Sequence, residues 1–170
     1  SFAKVPYGTW IICEIESPKG YVLSEEEIAV TIGKVDEVVE IELVNYFIKG
    51  NIALTKVDED YPDNKLSGAV FEVYSDTNGD GKLDKDDTLL GEMKELDGGV
   101  YQMSELRYGK YLVKETKAPT GFVLDENVYA VSVEENGKTY TVENKAGVGF
   151  INAVQKGSLK IVKTSSDGKV

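Results

Sequence analysis

Tyr108-Gly109-Lys110-Tyr111-Leu112-Val113-Lys114-Glu115 runs straight into Thr116-Lys117-Ala118-Pro119-Thr120-Gly121-Phe122-Val123-Leu124. The same line occurs earlier as Tyr7-Gly8-Thr9-Trp10-Ile11-Ile12-Cys13-Glu14, followed by Ile15-Glu16-Ser17-Pro18-Lys19-Gly20-Tyr21-Val22-Leu23. The offset is 101 positions, from 7 to 108. Every second residue leading to each glutamate is apolar, Trp10 and Ile12 before Glu14 and Tyr111 and Val113 before Glu115, and a Pro-x-Gly turn closes each copy. A second echo pairs Phe47-Ile48-Lys49-Gly50-Asn51-Ile52-Ala53-Leu54-Thr55-Lys56 with Val154-Gln155-Lys156-Gly157-Ser158-Leu159-Lys160-Ile161-Val162-Lys163, offset by 107 positions, from 47 to 154.

Such self-similarity is the mark of a repeat array. Residues 49–154 make one complete unit, 1–48 match the C-terminal half of a preceding unit, and 155–170 match the first strand of a following one. The second offset exceeds the first by six residues. The excess falls around Glu134 to Lys145, where Asn136-Gly137 marks a hairpin turn. Period-two alternation predicts strands at 51–57, 69–75, 88–94, 99–103, 110–116, 127–134, 138–142 and 147–153, separated by turn-forming Gly, Pro, Asn and Asp. No stretch sustains a helical period. Many short strands at this spacing predict an all-β sandwich.

The composition narrows function. The chain has 170 residues, 41% of them hydrophobic, enough for a packed core. Thirty acidic against nineteen basic residues leave a net charge of −11, which disfavours nucleic acid and anionic membrane surfaces. Histidine is absent, removing the commonest general base and metal ligand. The single cysteine, Cys13, allows no internal disulfide, and its alternation places it opposite Glu14 as an exposed thiol. No apolar run reaches the ~18 residues that span a bilayer. Ser1-Phe2-Ala3-Lys4 leads directly into strand-like sequence, so the expectation is an excised segment whose export signal lies elsewhere.

Alternation also places three polar residues on the core face. Ile52 and Leu54 lead to Lys56, Tyr111 and Val113 lead to Glu115, and Val148 and Phe150 lead to Asn152. The repeat gives the same rows again: Trp10 and Ile12 to Glu14, Ile41 and Leu43 to Asn45, Leu159 and Ile161 to Lys163. A buried lysine is costly unless paired or neutral. From spacing alone, these residues either sit at strand ends and reach solvent, or form a buried Lys–Glu pair capped by Asn, or do chemistry.

The line Gly109 to Phe122 closely resembles the E-box of the Cna B-type, or SpaA-type, domains of Gram-positive pilins and surface adhesins. Gly50 to Asp58 is similar to that family's first strand, Leu66-Ser67-Gly68-Ala69-Val70-Phe71-Glu72-Val73-Tyr74 to its second, and Gly149-Phe150-Ile151-Asn152 to its last. The resemblance covers 49–154 and, as fragments, both ends. It implies an immunoglobulin-like β-sandwich in a tandem array. It also implies a spontaneous intramolecular isopeptide bond, with Lys56 as nucleophile, Asn152 as acyl donor and Glu115 as catalyst. A protonated Glu115 would hydrogen-bond the Asn152 amide, polarise its carbonyl and shuttle the proton as ammonia leaves. Glu14, Asn45 and Lys163 match the same roles in neighbouring units, and no bond at Asn45 or Lys163 is expected within the chain unless chains complement one another.

Asp76-Thr77-Asn78-Gly79-Asp80-Gly81-Lys82-Leu83-Asp84-Lys85-Asp86-Asp87 has the spacing of an EF-hand-type loop. Asp76, Asn78, Asp80 and Asp87 would be side-chain ligands, Lys82 would offer its carbonyl, and Asp84 would act directly or through water. The loop resembles those of dockerins, and five carboxylates in twelve residues favour a bound Ca2+. The alternative is an acidic, solvated hairpin tip, since strands and not helices flank it.

The expectation is therefore a non-enzymatic, extracellular structural module of a Gram-positive cell wall or pilus, whose partners are neighbouring repeats and the pilus or cell-wall assembly. The alternative is an adhesin domain that contacts a host or environmental partner. No nucleic acid and no membrane insertion are expected.

Overall fold

The computed structural model describes residues 4–166. The longest strand, Lys49–Asp58 (β3), buries Ile52, Leu54 and Lys56 on one side. After it come Val70–Ser75 (β4), Thr88–Glu92 (β5) and Lys94–Leu96 (β6), then a short 3-10 turn at Asp97–Gly99. Val100–Arg107 (β7), Gly109–Lys117 (β8), Val128–Val133 (β9), Thr139–Thr141 (β10) and Phe150–Asn152 (β11) complete the unit. One sheet runs β10-β3-β7-β6, with β11 also on β3, and the other runs β5-β4-β8-β9. β10 and β11 both lie parallel to β3, at Asn51–Ala53 and at Lys56–Asp58 respectively.

The two sheets enclose one core of Ile52, Leu54, Phe71, Val73, Tyr101, Val113, Val133 and Phe150. Phe71 meets Phe150 edge-on at 4.9 Å between ring centroids, and Tyr129 meets it edge-on at 5.1 Å. Such edge contacts add about 0.5–1.5 kcal/mol each beyond area burial. They fix Phe150, two residues before Asn152.

Two strand expectations are corrected. The run 88–94 is two strands in different sheets: β5 pairs with β4, and β6 with β7. The chain crosses between sheets at buried Met93, after Gly91 (φ 140°) and a register shift at Val73/Tyr74 have turned it. Alternation continues through the crossing, so the pattern does not reveal it. The run 147–153 shrinks to Phe150–Asn152, because Gly147 (φ 72°) and Gly149 (φ 132°) leave the extended region. Residues 155–166 form no strand, and Leu159 and Ile161 are 87% and 82% exposed. Gln155 N donates to Gly121 O (2.8 Å), and 167–170 lie outside the described residues.

At the other end, Gly8–Cys13 (β1) pairs with Glu27–Ile32 (β2). Their register, Gly8↔Ile32 to Cys13↔Glu27, reproduces that of β8 and β9, Gly109↔Val133 to Lys114↔Val128, at the same offset of 101. The bridge Tyr21↔Phe47 likewise repeats Phe122↔Val154. Among the described residues no sheet faces this hairpin: Trp10 is 42% exposed where its counterpart Tyr111 is 6%. It adjoins the sandwich through Tyr108 N, which donates to Ile48 O (2.9 Å), and through the Arg107 guanidinium over the Phe47 ring (3.9 Å).

Candidate functional site

Lys56 comes from β3, Glu115 from β8 and Asn152 from β11, so both sheets contribute. Lys56 and Glu115 are fully buried and Asn152 is 3% exposed. The Lys56 ammonium donates to Asn152 Oδ1 and to Phe150 O (3.1 Å), and lies 3.7 Å from Glu115 Oε1. Asn152 Nδ2 donates to Glu115 Oε1 (3.1 Å) and Oε2 (2.9 Å). The amide carbonyl thus faces the lysine and the amide nitrogen faces the glutamate. The expectation that Glu115 polarises the carbonyl is corrected on this point: Lys56 holds that oxygen, and Glu115 holds the nitrogen.

Burial sets the protonation. Desolvation pulls Lys56 down to about 8, against the opposing pull of Glu115 and Asp125. Desolvation pushes Glu115 up, against hydrogen bonds from the Asp125 amide and Asn152 and the charge of Lys56. Both shifts favour the neutral pair, an amine with a free lone pair beside a protonated acid. Such a pair can move a proton from Nζ to Nδ2 with no outside base.

Two further residues hold this arrangement. Asp125 N donates to Glu115 Oε2 (2.9 Å), and the Asp125 carboxylate accepts from Tyr129 Oη (2.6 Å) and Asn144 Nδ2 (2.8 Å). Burial raises the Asp125 pKa, but bonds from Tyr129, Asn144 and Asn127 together outweigh it and keep the group below the usual range. Asn144 also clasps Ile151, its Oδ1 accepting from N (2.6 Å) and its Nδ2 donating to O (2.9 Å). Asn144 therefore ties the loop after β8 to the strand that carries Asn152. Alternation singles out neither residue, because Asp125 reaches Glu115 through its backbone amide and Asn144 lies in a turn.

Glycine is required at Gly149. A Cβ there would lie 2.8 Å from Thr55 O, and φ is 132°. This close approach lets β11 reach β3 one residue before Lys56.

The N-terminal hairpin repeats part of this constellation. Asn45 Nδ2 donates to Glu14 Oε1 (2.6 Å), and Ser24 N donates to Glu14 Oε2 (2.9 Å), as Asn152 and Asp125 do to Glu115. These bonds, from Asn45 first and Ser24 second, hold Glu14 below the usual carboxylate range, the opposite of Glu115. Lys163 is exposed and is not brought to this pair.

A family model for the SpaA prealbumin-like fold domain matches residues 1–46 and 50–147. The chain belongs to this family. Among solved structures, the Bacillus anthracis TIE protein is 30% identical to it over 88% of this chain, with a TM-score of 0.71. BcpA, the major pilin subunit of Bacillus cereus, is 25% identical over 79% of this chain and 35% of its own, with a TM-score of 0.49. The T6 backbone pilin of Streptococcus pyogenes is 30% identical over 49% of this chain and 16% of its own, with a TM-score of 0.40. This SpaA-type chain spans 26% of the TIE protein chain. No curated protein matches it. The family is a structural one, and no enzyme family is indicated. Among the described residues, no helix is long and apolar enough to cross a membrane.

In the SpaA-type unit, the acidic loop after β4 closes on itself. Asp76 accepts from Gly79 N (2.7 Å) and Gly81 N (3.1 Å), Asn78 Nδ2 donates to Asp84 Oδ2 (3.2 Å), and Asp87 accepts from Thr77 N (3.1 Å) and Asp84 N (2.8 Å). Asp80 accepts from Lys82 N (2.8 Å), and the Lys110 ammonium donates to Gly79 O (2.9 Å). The two ends of the loop are therefore adjacent. As placed, no three acidic side chains among the described residues form a metal-holding cluster. Cys13 is exposed.

Proposed function

We propose that this chain is a load-bearing stalk module of a Gram-positive cell-surface or pilus protein, extracellular and built from tandem units. In this reading 49–154 is the complete unit, closed by an isopeptide bond between Lys56 and Asn152 that Glu115 promotes. The observation that carries the reading is the contact of three buried groups, with the amide carbonyl on the amine and the amide nitrogen on the acid.

The Lys56 lone pair attacks Asn152 Cγ, forming the C–N bond. Glu115 relays the amine's excess proton to Nδ2, the Cγ–Nδ2 bond breaks, and ammonia leaves. Folding supplies the proximity. The step runs once per chain and is maturation, not turnover. The bond would join the first and last strands of the unit across 96 positions. Pulling force would then pass from β3 to β11 through covalent bonds, leaving the sheets between them unloaded.

Force spectroscopy tests this. Extending the closed loop would release roughly 330 Å of chain, at about 3.4 Å per residue. The wild type should withhold that length and Glu115→Ala should release it. A wild type that releases it contradicts the proposal.

Calcium belongs to the same reading as a structural ion in the loop 76–87. The support is the ligand spacing and the adjacency of the loop's ends; the ion would have to draw Asp76, Asn78, Asp80, Asp84, Asp87 and the Lys82 carbonyl together. A melting temperature that rises with added calcium and falls with chelator supports it, and one indifferent to both rejects it.

A further inference from the structure

We propose that residues 105–108 form a docking corner for the turn Pro18-Lys19-Gly20 of the preceding repeat, and that this contact locks the N-terminal hairpin and the complete unit at one fixed orientation. The groups that form the corner include no member of the buried triad, and the lock needs neither the isopeptide bond nor calcium.

The connection between the two bodies, residues 46–51, is bonded from both sides. Tyr46 O accepts from Val22 N (2.8 Å) and Ile48 N donates to Gly20 O (2.9 Å), both toward the hairpin. Ile48 O accepts from Tyr108 N (2.9 Å), Lys49 N donates to Asn136 Oδ1 (3.1 Å) and Lys49 O accepts from Gly137 N (2.7 Å), all toward the sandwich. Ile48 is the splice, its amide held by one body and its carbonyl by the other. The turn Asn136-Gly137, which lies in the six-residue excess of the complete unit, grips Lys49 where the connection enters β3. Short unpaired connections let neighbouring domains swing, and this one is held at successive peptide groups instead.

Side chains set the angle. The Phe47 ring stacks on Tyr21, 4.6 Å between centroids, and has the Arg107 guanidinium 3.9 Å from its own centroid. One ring therefore ties the hairpin side to the sandwich through a cation–π contact. The Lys49 ammonium donates to Glu105 Oε2 (2.8 Å). The turn itself packs on Tyr108: a Cβ at Gly20 would lie 3.4 Å from Tyr108 Cβ, and the Lys19 ammonium is 5.6 Å from the Tyr108 ring centroid.

A bulge builds the corner. The register shifts between Gly50↔Leu106 and Ile52↔Met103, so Ser104 and Glu105 stand opposite Asn51, with the Glu105 amide donating to Asn51 Oδ1 (3.3 Å). Glu105 has φ 62°, a conformation uncommon outside glycine, and Lys4, its counterpart 101 positions earlier, has φ 61°. Such a bulge re-aims the residues beyond it, here Arg107 and Tyr108. The turn half of the joint recurs too: Val123 N donates to Ala153 O (2.8 Å) and Gln155 N to Gly121 O (2.8 Å), as Val22 and Ile48 do to Tyr46 and Gly20. Val154 stands there in place of Phe47 and offers no ring to a guanidinium. The turn pairing is thus common to both copies, and the pair Phe47–Arg107 adds the lock.

Solution NMR of the full isotope-labelled chain tests the lock. In the wild type, residual dipolar couplings of the β1–β2 amides and of the sandwich amides should fit one alignment tensor, and relaxation should give one rotational correlation time. Arg107→Ala should split them into two tensors while the couplings within the sandwich keep their fit. Phe47→Leu removes the ring from the same contact and should split them equally. Two tensors in the wild type overturn the inference, as does a single tensor in both variants. A nitroxide on Cys13, exposed and the chain's one cysteine, reads the wild type with the joint untouched. Relaxation of sandwich amides that fits one position of the hairpin supports the lock, and relaxation that no single position fits overturns it. Intact mass of the same samples reads the Lys56–Asn152 bond, so a swinging joint is told apart from an unformed bond.

Discussion

Glu115 and Glu14 occupy the same position in two copies of one motif, and their acidities move in opposite directions. Each accepts from an asparagine amide and from a backbone amide ten residues on. Glu115 lies between two sheets, where desolvation raises its pKa; Glu14 lies on a hairpin that no sheet faces among the described residues, and hydrogen bonds lower it. The local geometry is therefore encoded in the strand–turn–strand segment, and the raised pKa comes from burial under the second sheet. In the proposed reaction the lysine-bearing strand would supply both the nucleophile and part of the cover that lowers its pKa.

The largest contrast should come from removing the amines. Lys56→Ala would lose the loop closure, about 4–5 kcal/mol for a loop near 100 residues. A large fall in melting temperature is expected, whereas Lys163→Ala should leave the melting of dilute monomer unchanged. Equal effects would erase the distinction between the two copies.

Gly149→Ala should come next. It places a Cβ against Thr55 O and forces an L residue to φ 132°, a strain of order 1–3 kcal/mol. Bond formation after refolding should slow; an unchanged rate would show that β11 needs no close approach. Asn144→Ala removes the clasp on Ile151 and one bond to Asp125, for about 1–2 kcal/mol by denaturant titration. The equivalent position at offset 107 is Glu37, whose carboxylate cannot donate as the Asn144 amide does.

The smallest effect is in pH. Bond formation needs neutral Lys56 and protonated Glu115 together. Below the raised pKa of Glu115 the rate should fall because Lys56 is protonated, and above about 8 it should fall because Glu115 is ionised while Lys56 gains nothing more. Measured by refolding over a pH series, the profile should be a bell whose alkaline limb begins near 8. A rate that climbs steadily to pH 10 would assign Glu115 no acid role.

Much of this was legible in the sequence, for particular reasons. Lys56, Glu115 and Asn152 each end an alternating apolar row, so a period of two is enough to put them on the core face. The split of 88–94 between sheets is hidden in the sequence, since Glu92, Met93 and Lys94 keep alternating polar and apolar across the crossing. Asp125 was hidden because its backbone amide does the work, and Ser24 serves Glu14 equally well. The orientation of the Asn152 amide follows from Phe150 O and Asn152 Oδ1 both lying on Lys56, which only the folded strands reveal.

The central claim is that Lys56, Glu115 and Asn152 react as well as touch. Intact mass of the denatured monomer measures it directly: the wild type should be lighter than its sequence by one ammonia, and Glu115→Ala should retain the full mass. A wild-type monomer at its full sequence mass would contradict the account.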